Sequence, residues 1–303
     1  MKQNFKRYFI WGAIFACAAY LGISYYILEN LTMAGRHPLK DSAKTLHIPY
    51  EDITFYSRTD QTKLKGWFFP AIENRFTLVF VHGINTNRIS NKHTLNIAKD
   101  FVHHGVNVFM FDMRAKGESE GKFSSGGFFE KLDVLGAFDY LVETKKIPLS
   151  QIGILGFSMG GATSILAVSM EPKVQALVVE APYSDARKLI AQEAAIATGV
   201  PMWVAQMFIP AVKFFAKTIY QIKLDQMVPE EAVGKIQIPV FLIHGLEDTR
   251  LPPSHSENIY KNAHKGSELW LVPDTTHTDA YRTHPQEYIS RLISYYEKQL
   301  QVN

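Results

Sequence analysis

Cysteine is nearly absent. The 303 residues contain one, Cys17, so no disulfide can form within the chain, and stability has to come from a packed core, which this length can supply. Runs of like charge are missing too: 32 Lys and Arg are scattered among 29 Asp and Glu, leaving a net charge of +3. With no basic run and no RNA- or DNA-binding motif, nucleic acid is not an expected partner. No internal repeat or low-complexity block occurs, and 47% apolar, 13% aromatic and 20% charged residues exclude a wholly disordered chain and a collagen-like one. The sequence holds no H-E-x-x-H, no cysteine cluster and no G-x-x-x-x-G-K-S/T loop, so no metal and no cofactor is expected.

What is present begins with Phe9 to Leu28, FIWGAIFACAAYLGISYYIL, twenty residues without a charge. As a helix this run can cross a hydrocarbon core of about 30 Å, so residues 9–28 are read as a membrane-spanning helix after a basic tail, residues 1–8. Lys2, Lys6 and Arg7 precede it and Glu29 is the first charge after it, which predicts a cytoplasmic amino terminus and an extracytoplasmic remainder. Arg36, Lys40 and Lys44 oppose that orientation. Tyr8, Trp11, Tyr25 and Tyr26 suit the two interfacial belts. Rival readings treat the run as a cleaved signal, on Ala16-Cys17-Ala18 or on a lipoprotein-like Ile14-Phe15-Ala16-Cys17. Both leave an exposed apolar tail, and Phe15 fits poorly before a lipidated cysteine.

Residues 29–49, with His37-Pro38, read as a connector, and residues 50–303 as the folded domain. Ile53–Ser57 and Leu64–Phe69 predict an antiparallel hairpin around Arg58-Thr59-Asp60-Gln61. Beyond Thr77, apolar runs at Leu78–Val81, Val106–Phe111, Ile152–Leu155, Ala176–Val179, Val240–Ile243 and Leu269–Val272 alternate with stretches of helical period at Asn91–His104, Glu130–Thr144, Met159–Ser169 and Glu287–Leu300. Strands that are apolar throughout need cover on both faces, so the pattern predicts an α/β fold with a mostly parallel sheet between helices. Between Pro182 and Gln237 the alternation lapses into an insertion at about 183–236, where Pro201, Pro210 and Pro229 are expected to divide short helices. It sits where a lid could sit.

The sequence QIGILG runs into Gly156-Phe157-Ser158-Met159-Gly160-Gly161 and then a helix-forming stretch, which is G-x-S-x-G in the strand, sharp turn and helix it requires. A serine at such a turn is held in a strained conformation, and a side chain at the flanking glycines would strike neighbouring backbone. Ser158 is the candidate nucleophile. Its Oγ would sit near the positive end of the next helix, where Met159 N–H can stabilise an oxyanion. A serine near neutral pH needs a histidine to take its proton and a carboxylate to orient that histidine. The strand Val240–Ile243 leads into His244-Gly245-Leu246-Glu247-Asp248, and the strand Glu268–Val272 into Pro273-Asp274-Thr275-Thr276-His277. Asp248 and His277 are therefore the chosen acid and base. Glu180 is the runner-up acid, Glu247 is expected in solvent, and Asp274 is too near the histidine to orient it. The second oxyanion donor is expected in the loop after Leu78–Val81, with Gly83 permitting its path, Ile84 N–H as first choice and Asn85 as second. His82 is expected to hydrogen-bond within that loop.

These residues, with Asp112-Met113-Arg114-Ala115-Lys116-Gly117-Glu118-Ser119-Glu120-Gly121, resemble the α/β-hydrolase superfamily, in particular its lidded serine hydrolases of esterase, lipase and peptidase-like type. The resemblance runs from about Tyr50 to the carboxyl terminus. Ala115 stands where the motif usually has glycine, a structural position in the family. The resemblance implies a central sheet of about eight strands with a helical lid after the sixth, in agreement with the strand count.

The expected activity is a serine hydrolase that cleaves carboxylic esters through an acyl-enzyme on Ser158. The apolar lid and the membrane helix favour acyl or otherwise hydrophobic esters as substrates. Two alternatives stand beside it: an aminopeptidase-like hydrolase, whose substrate amine would need Glu193, Asp225, Glu230 or Glu231, and a silent membrane-anchored binding protein.

Overall fold

A computed structural model describes residues 2–33, 35–89 and 93–300. The apolar runs become the strands of one eight-stranded sheet ordered β1-β2-β4-β3-β5-β6-β7-β8. β1 (Glu51–Tyr56) and β2 (Lys63–Phe69) form the antiparallel hairpin, and β2 pairs antiparallel with β4 (Asn107–Asp112). β3 (Thr77–Val81), β5 (Ile152–Phe157), β6 (Ala176–Glu180), β7 (Val240–Gly245) and β8 (Glu268–Val272) continue the sheet in parallel. The chain crosses from β3 to β4 on one side and to β5 on the other. The crevice at a topological switch of this kind opens at the carboxyl ends of the strands, here those of β3 and β5.

β3 to β7 are buried along their whole length, and alternate residues serve two cores. Val79, Val81, Ile154, Leu177, Val179, Val240 and Leu242 face the core that includes α3 (Glu130–Glu143) and α4 (Met159–Val168). Leu78, Phe80, Leu155, Phe157, Val178, Phe241 and Ile243 face the core that includes α2 (Thr94–His103) and α10 (Pro285–Leu300). This two-sided cover is why the strands read as continuous apolar runs rather than alternating ones. α2 begins at Thr94; Asn91, the expected start, lies outside the described residues.

The insertion between β6 and β7 carries α5 (Ala186–Thr198), α6 (Met202–Ile219) and α7 (Pro229–Ala232). Asp185 caps α5 by accepting from Arg187 N–H at 2.8 Å, and Gly199 ends it at φ +70°. The prolines act differently from the expectation. Pro201 caps α6 and Pro229 opens α7, but Pro210 lies inside α6 and does not end it. Proline inside a helix removes one i→i−4 hydrogen bond, and packing of α6 on its neighbours outweighs that loss. α8 (Ser254–Asn262) and α9 (Ala280–Thr283) complete the fold.

At the amino terminus α1 (Lys2–Thr32) extends beyond the apolar run at both ends, so the expected basic tail is helical from Lys2 onward. Its exposed face includes Phe9, Trp11 and Phe15, while Leu28 and Thr32 are buried against the domain. The segment that follows is tied down: Arg36 donates to the carbonyls of Ser119 and Gly121, and Asn87 Nδ2 donates to the His37 carbonyl at 2.9 Å.

Asp112 closes the loop after β4. Its carboxylate accepts from Arg88 N–H at 2.7 Å, from the Arg88 guanidinium at 2.6 Å and from Glu118 N–H at 2.8 Å. In that loop Ala115 has φ +57°, a left-handed conformation that disfavours any Cβ, which accounts for the glycine usual there. Ala115→Gly should stabilise the protein by about 0.5–1 kcal/mol in urea unfolding, the released strain exceeding the extra chain entropy of glycine; a destabilised variant would show that the alanine methyl packs favourably.

Candidate active site

Three loops meet at the carboxyl ends of β5, β7 and β8. Ser158 lies between β5 and α4 at φ +52° and ψ −122°, and its N–H donates to the Glu180 carbonyl at 2.8 Å. The glycines around it are forced by space. A Cβ at Gly160 would lie 2.2 Å from the Val81 carbonyl oxygen, and one at Gly156 would lie 2.7 Å from Gly161 Cα. Gly83 brings the loop after β3 so near that its Cβ would stand 3.3 Å from Ser158 Cβ.

The Ser158 hydroxyl is 2.9 Å from His277 Nε2, and His277 Nδ1 is 2.6 Å from Asp248 Oδ2. The tautomer this requires carries its proton on Nδ1 and leaves Nε2 free to accept from the serine. Asp248 is buried, and its Oδ1 accepts from the Arg250 and Leu251 N–H groups at 3.0 and 2.9 Å. Burial alone would raise its pKa, but hydrogen bonds from His244, His277 and the Leu251 N–H hold the carboxyl well below the usual carboxylate range. The arrangement can carry a proton away from a serine hydroxyl and stabilise the imidazolium that results.

His244 is the contributor that the sequence reading passed over. Its Nε2 lies 2.7 Å from the Leu251 carbonyl, which can only accept, so Nε2 carries the proton and also lies 3.3 Å from Asp248 Oδ2. Nδ1 then accepts from Ser256 Oγ at 2.7 Å. A histidine ending an apolar strand four residues before the acid was the available signal.

His82 is buried and hydrogen-bonds within its loop: Nδ1 donates to the Gly83 carbonyl at 2.8 Å and Nε2 accepts from Met113 N–H at 3.0 Å. Burial lowers its pKa to about 4, so it is neutral near pH 7. A planar trans peptide points its C=O and N–H in opposite directions, so fixing the Gly83 carbonyl on His82 turns the Ile84 N–H away from that ring. Ile84, Asn85 and Met159 line one cavity with Ser158. Its volume is about 110 Å³, and its walls include Tyr183, Leu189, Ile190, Ile222 and Met227 from the insertion. Leu28, Leu31 and Thr32 of α1 also line it, a contribution with no local signal in the sequence.

The other carboxylates fall elsewhere. Glu247 and Asp274 are exposed. Glu180 accepts from Ala280 N–H at 3.0 Å and Tyr288 Oη–H at 2.9 Å and makes no hydrogen bond to His277. Of Glu193, Asp225, Glu230 and Glu231 only Glu193 lines the cavity, 3.7 Å from Arg250. Among the described residues no three His, Cys, Asp or Glu side chains converge so as to hold a metal ion.

The family described as serine aminopeptidase, S33, a group of hydrolases, matches residues 72–226. The chain belongs to this family of α/β-hydrolases. Among its relatives, the α/β-hydrolase domain-containing protein WAV2 of Arabidopsis thaliana is 28% identical over 84% of this chain and 80% of its own. An uncharacterized protein of Bacillus subtilis, YqkD, is 26% identical over 74% of this chain and 72% of its own. The esterase Pf2001 of Pyrococcus furiosus superposes with a TM-score of 0.71 over 88% of this hydrolase and 98% of that chain, at 24% identity, a likeness of fold. The family match ends before Asp248 and His277, so those two residues stand on their geometry.

Burial pushes the Glu180 carboxyl up to about 7, against the opposing hydrogen bonds from Ala280 and Tyr288. A carboxyl whose folded pKa is raised contributes stability below its unfolded value that is lost as pH rises through the folded one, here between about pH 4.5 and 7. Wild type should therefore lose on the order of 3 kcal/mol relative to Glu180→Gln across that window in denaturant titrations. Parallel pH profiles for the two proteins would contradict this.

Proposed function

We propose that the protein is a serine hydrolase that cleaves carboxylic esters with acyl or otherwise hydrophobic groups, anchored in a membrane by α1. The observation that carries this reading is the unbroken hydrogen-bonded chain from Ser158 Oγ through His277 to the buried Asp248. His277 Nε2 takes the proton as Ser158 Oγ attacks the ester carbonyl. The N–H groups of Met159 and Ile84 receive the oxyanion, the first at the positive end of α4 and the second turned by the His82 to Gly83 hydrogen bond. His277 then protonates the departing alcohol, leaving an acyl-enzyme, and repeats the cycle with water. Asp248 holds the tautomer and stabilises the imidazolium, while His244 keeps Asp248 in place.

The apolar cavity beside Ser158 supports an acyl group as the part recognised, and esterase architecture in the Pyrococcus furiosus protein agrees with that chemistry. The positive-inside tendency of Lys2, Lys6 and Arg7 favours an amino terminus in the cytoplasm and a hydrolase domain outside it. The family's description as a serine aminopeptidase favours a second reading, an amine-recognising peptidase. Glu193 is the carboxylate that could receive such an amine, and Arg250 at 3.7 Å offsets its charge.

A series of p-nitrophenyl esters from acetyl to lauroyl, run beside aminoacyl amides, tests this reading. Wild type should favour the longer acyl groups, with kcat falling about 10⁴-fold or more in Ser158→Ala and His277→Ala. Faster cleavage of amides, with no preference among acyl lengths, would replace the ester reading with the peptidase one.

A further inference from the structure

α6 lies along α1 in a register that bears on where the bilayer ends. Tyr20 stacks on Phe208 with centroids 5.4 Å apart and donates to the Met207 carbonyl at 2.9 Å. Further on, Tyr25 meets Phe215 edge to face at 5.8 Å, and Tyr220 Oη donates to Glu29 at 2.7 Å. The pairs advance together along both helices, so α6 runs parallel to α1, and its start points back along the apolar run. Tyr20 is eight residues before Leu28, the last residue of that run, or about 12 Å along the axis. If α1 spans a membrane, the first half of α6 lies beside hydrocarbon.

The hairpin of α5 and α6 has the surface for that position. Residues 194–212 carry no charge, and Ile196, Met202, Trp203 and Met207 are exposed, Trp203 to 66%. Lys217 comes later in α6, between the levels of Tyr25 and Glu29, where a long basic side chain can reach a headgroup layer, while Lys213, just before the level of Tyr25, is ion-paired with Asp225 at 2.5 Å. The corner also meets part of its own polar needs. Gly199 N–H donates to the Ala195 carbonyl at 2.9 Å, Val200 N–H lies 3.5 Å from Thr198 Oγ1, Pro201 has no N–H, and Val204 N–H donates to the Pro201 carbonyl at 2.9 Å. Satisfaction of these donors within the segment suits a bilayer, while the first-turn N–H groups of Met202 and Trp203 have no side-chain cap.

We propose that the α5–α6 hairpin is a second membrane element, inserted into one leaflet beside α1, and that the substrate's acyl chain reaches Ser158 from that leaflet through the seam between them. The occupant of the exposed apolar surface is lipid hydrocarbon, continuous with that around α1. The cavity lies at the head of the seam, walled by Leu28 and Leu31 from α1 and by Leu189 and Ile190 from α5. The insertion half stands on α1 alone as the spanning helix; the access half rests on the ester-hydrolase reading.

The single cysteine makes the test direct. Full-length protein labelled at Cys17 with an NBD fluorophore is reconstituted in dioleoylphosphatidylcholine vesicles containing doxyl-labelled lipid, beside Cys17→Ala/Trp203→Cys labelled in the same way. Both probes should be quenched by the lipid nitroxides and shielded from aqueous iodide. A Trp203→Cys probe quenched by iodide and not by lipid, with the Cys17 probe lipid-quenched, would overturn insertion. Shielding from both quenchers would also overturn it, by placing a second copy of the chain over the hairpin. For access, Trp203→Asp/Met207→Asp should lower turnover of a long-chain ester dissolved in the vesicles at least 10-fold and leave a water-soluble short-chain ester unchanged. Equal loss on both esters, or loss on neither, would overturn the seam as the route. Absence of ester cleavage in wild type would remove the access half with the ester reading, while quenching still decides insertion.

Discussion

The site is organised around the backbone of Ser158. A non-glycine residue at φ +52° and ψ −122° is strained by about 1–3 kcal/mol, and it persists only where its surroundings leave no alternative. Here the Glu180 carbonyl holds its N–H, α4 begins at the next residue, and Gly83, Gly156, Gly160 and Gly161 clear the space around it. Closeness is the result. The loops after β3 and β5 approach to a distance that a side chain would obstruct, and one turn presents a hydroxyl, a helix amino terminus and a neighbouring loop to the same cavity.

Around that turn the buried polar groups divide by their partners. Asp248 receives two backbone N–H groups and two imidazoles and is held ionised. Glu180, at the end of the adjacent strand β6, receives one backbone N–H and a tyrosine hydroxyl, and burial prevails. Two carboxylates on neighbouring strand ends thus differ in charge preference through hydrogen bonding. The difference suits one to face an imidazolium and the other to brace Ala280, three residues beyond His277.

Much of this was legible in the sequence because it depends on short-range pattern. Strands buried on both faces read as apolar runs, and the glycines about Ser158 mark a turn where only bare backbone fits. The order of Ser158, Asp248 and His277 follows from the strands they terminate. What escaped depends on contacts distant in sequence. Leu28, Leu31 and Thr32 line a cavity built mainly by residues about a hundred or more positions away, and no local period announces it. Pro210 reads as a helix break, yet the packing of α6 against α1 and α5 carries the helix through it. Ala115 shows the opposite case, a departure whose strain became visible only with its backbone angle.

The most direct measurement is reaction of the intact, folded protein with a fluorophosphonate, followed by mass spectrometry of the modified peptide. An activated serine predicts one adduct, carried on Ser158 and lost in His277→Ala. No adduct in folded protein whose cavity admits the reagent, or an adduct on another serine, would contradict the hydrolytic role assigned to this site.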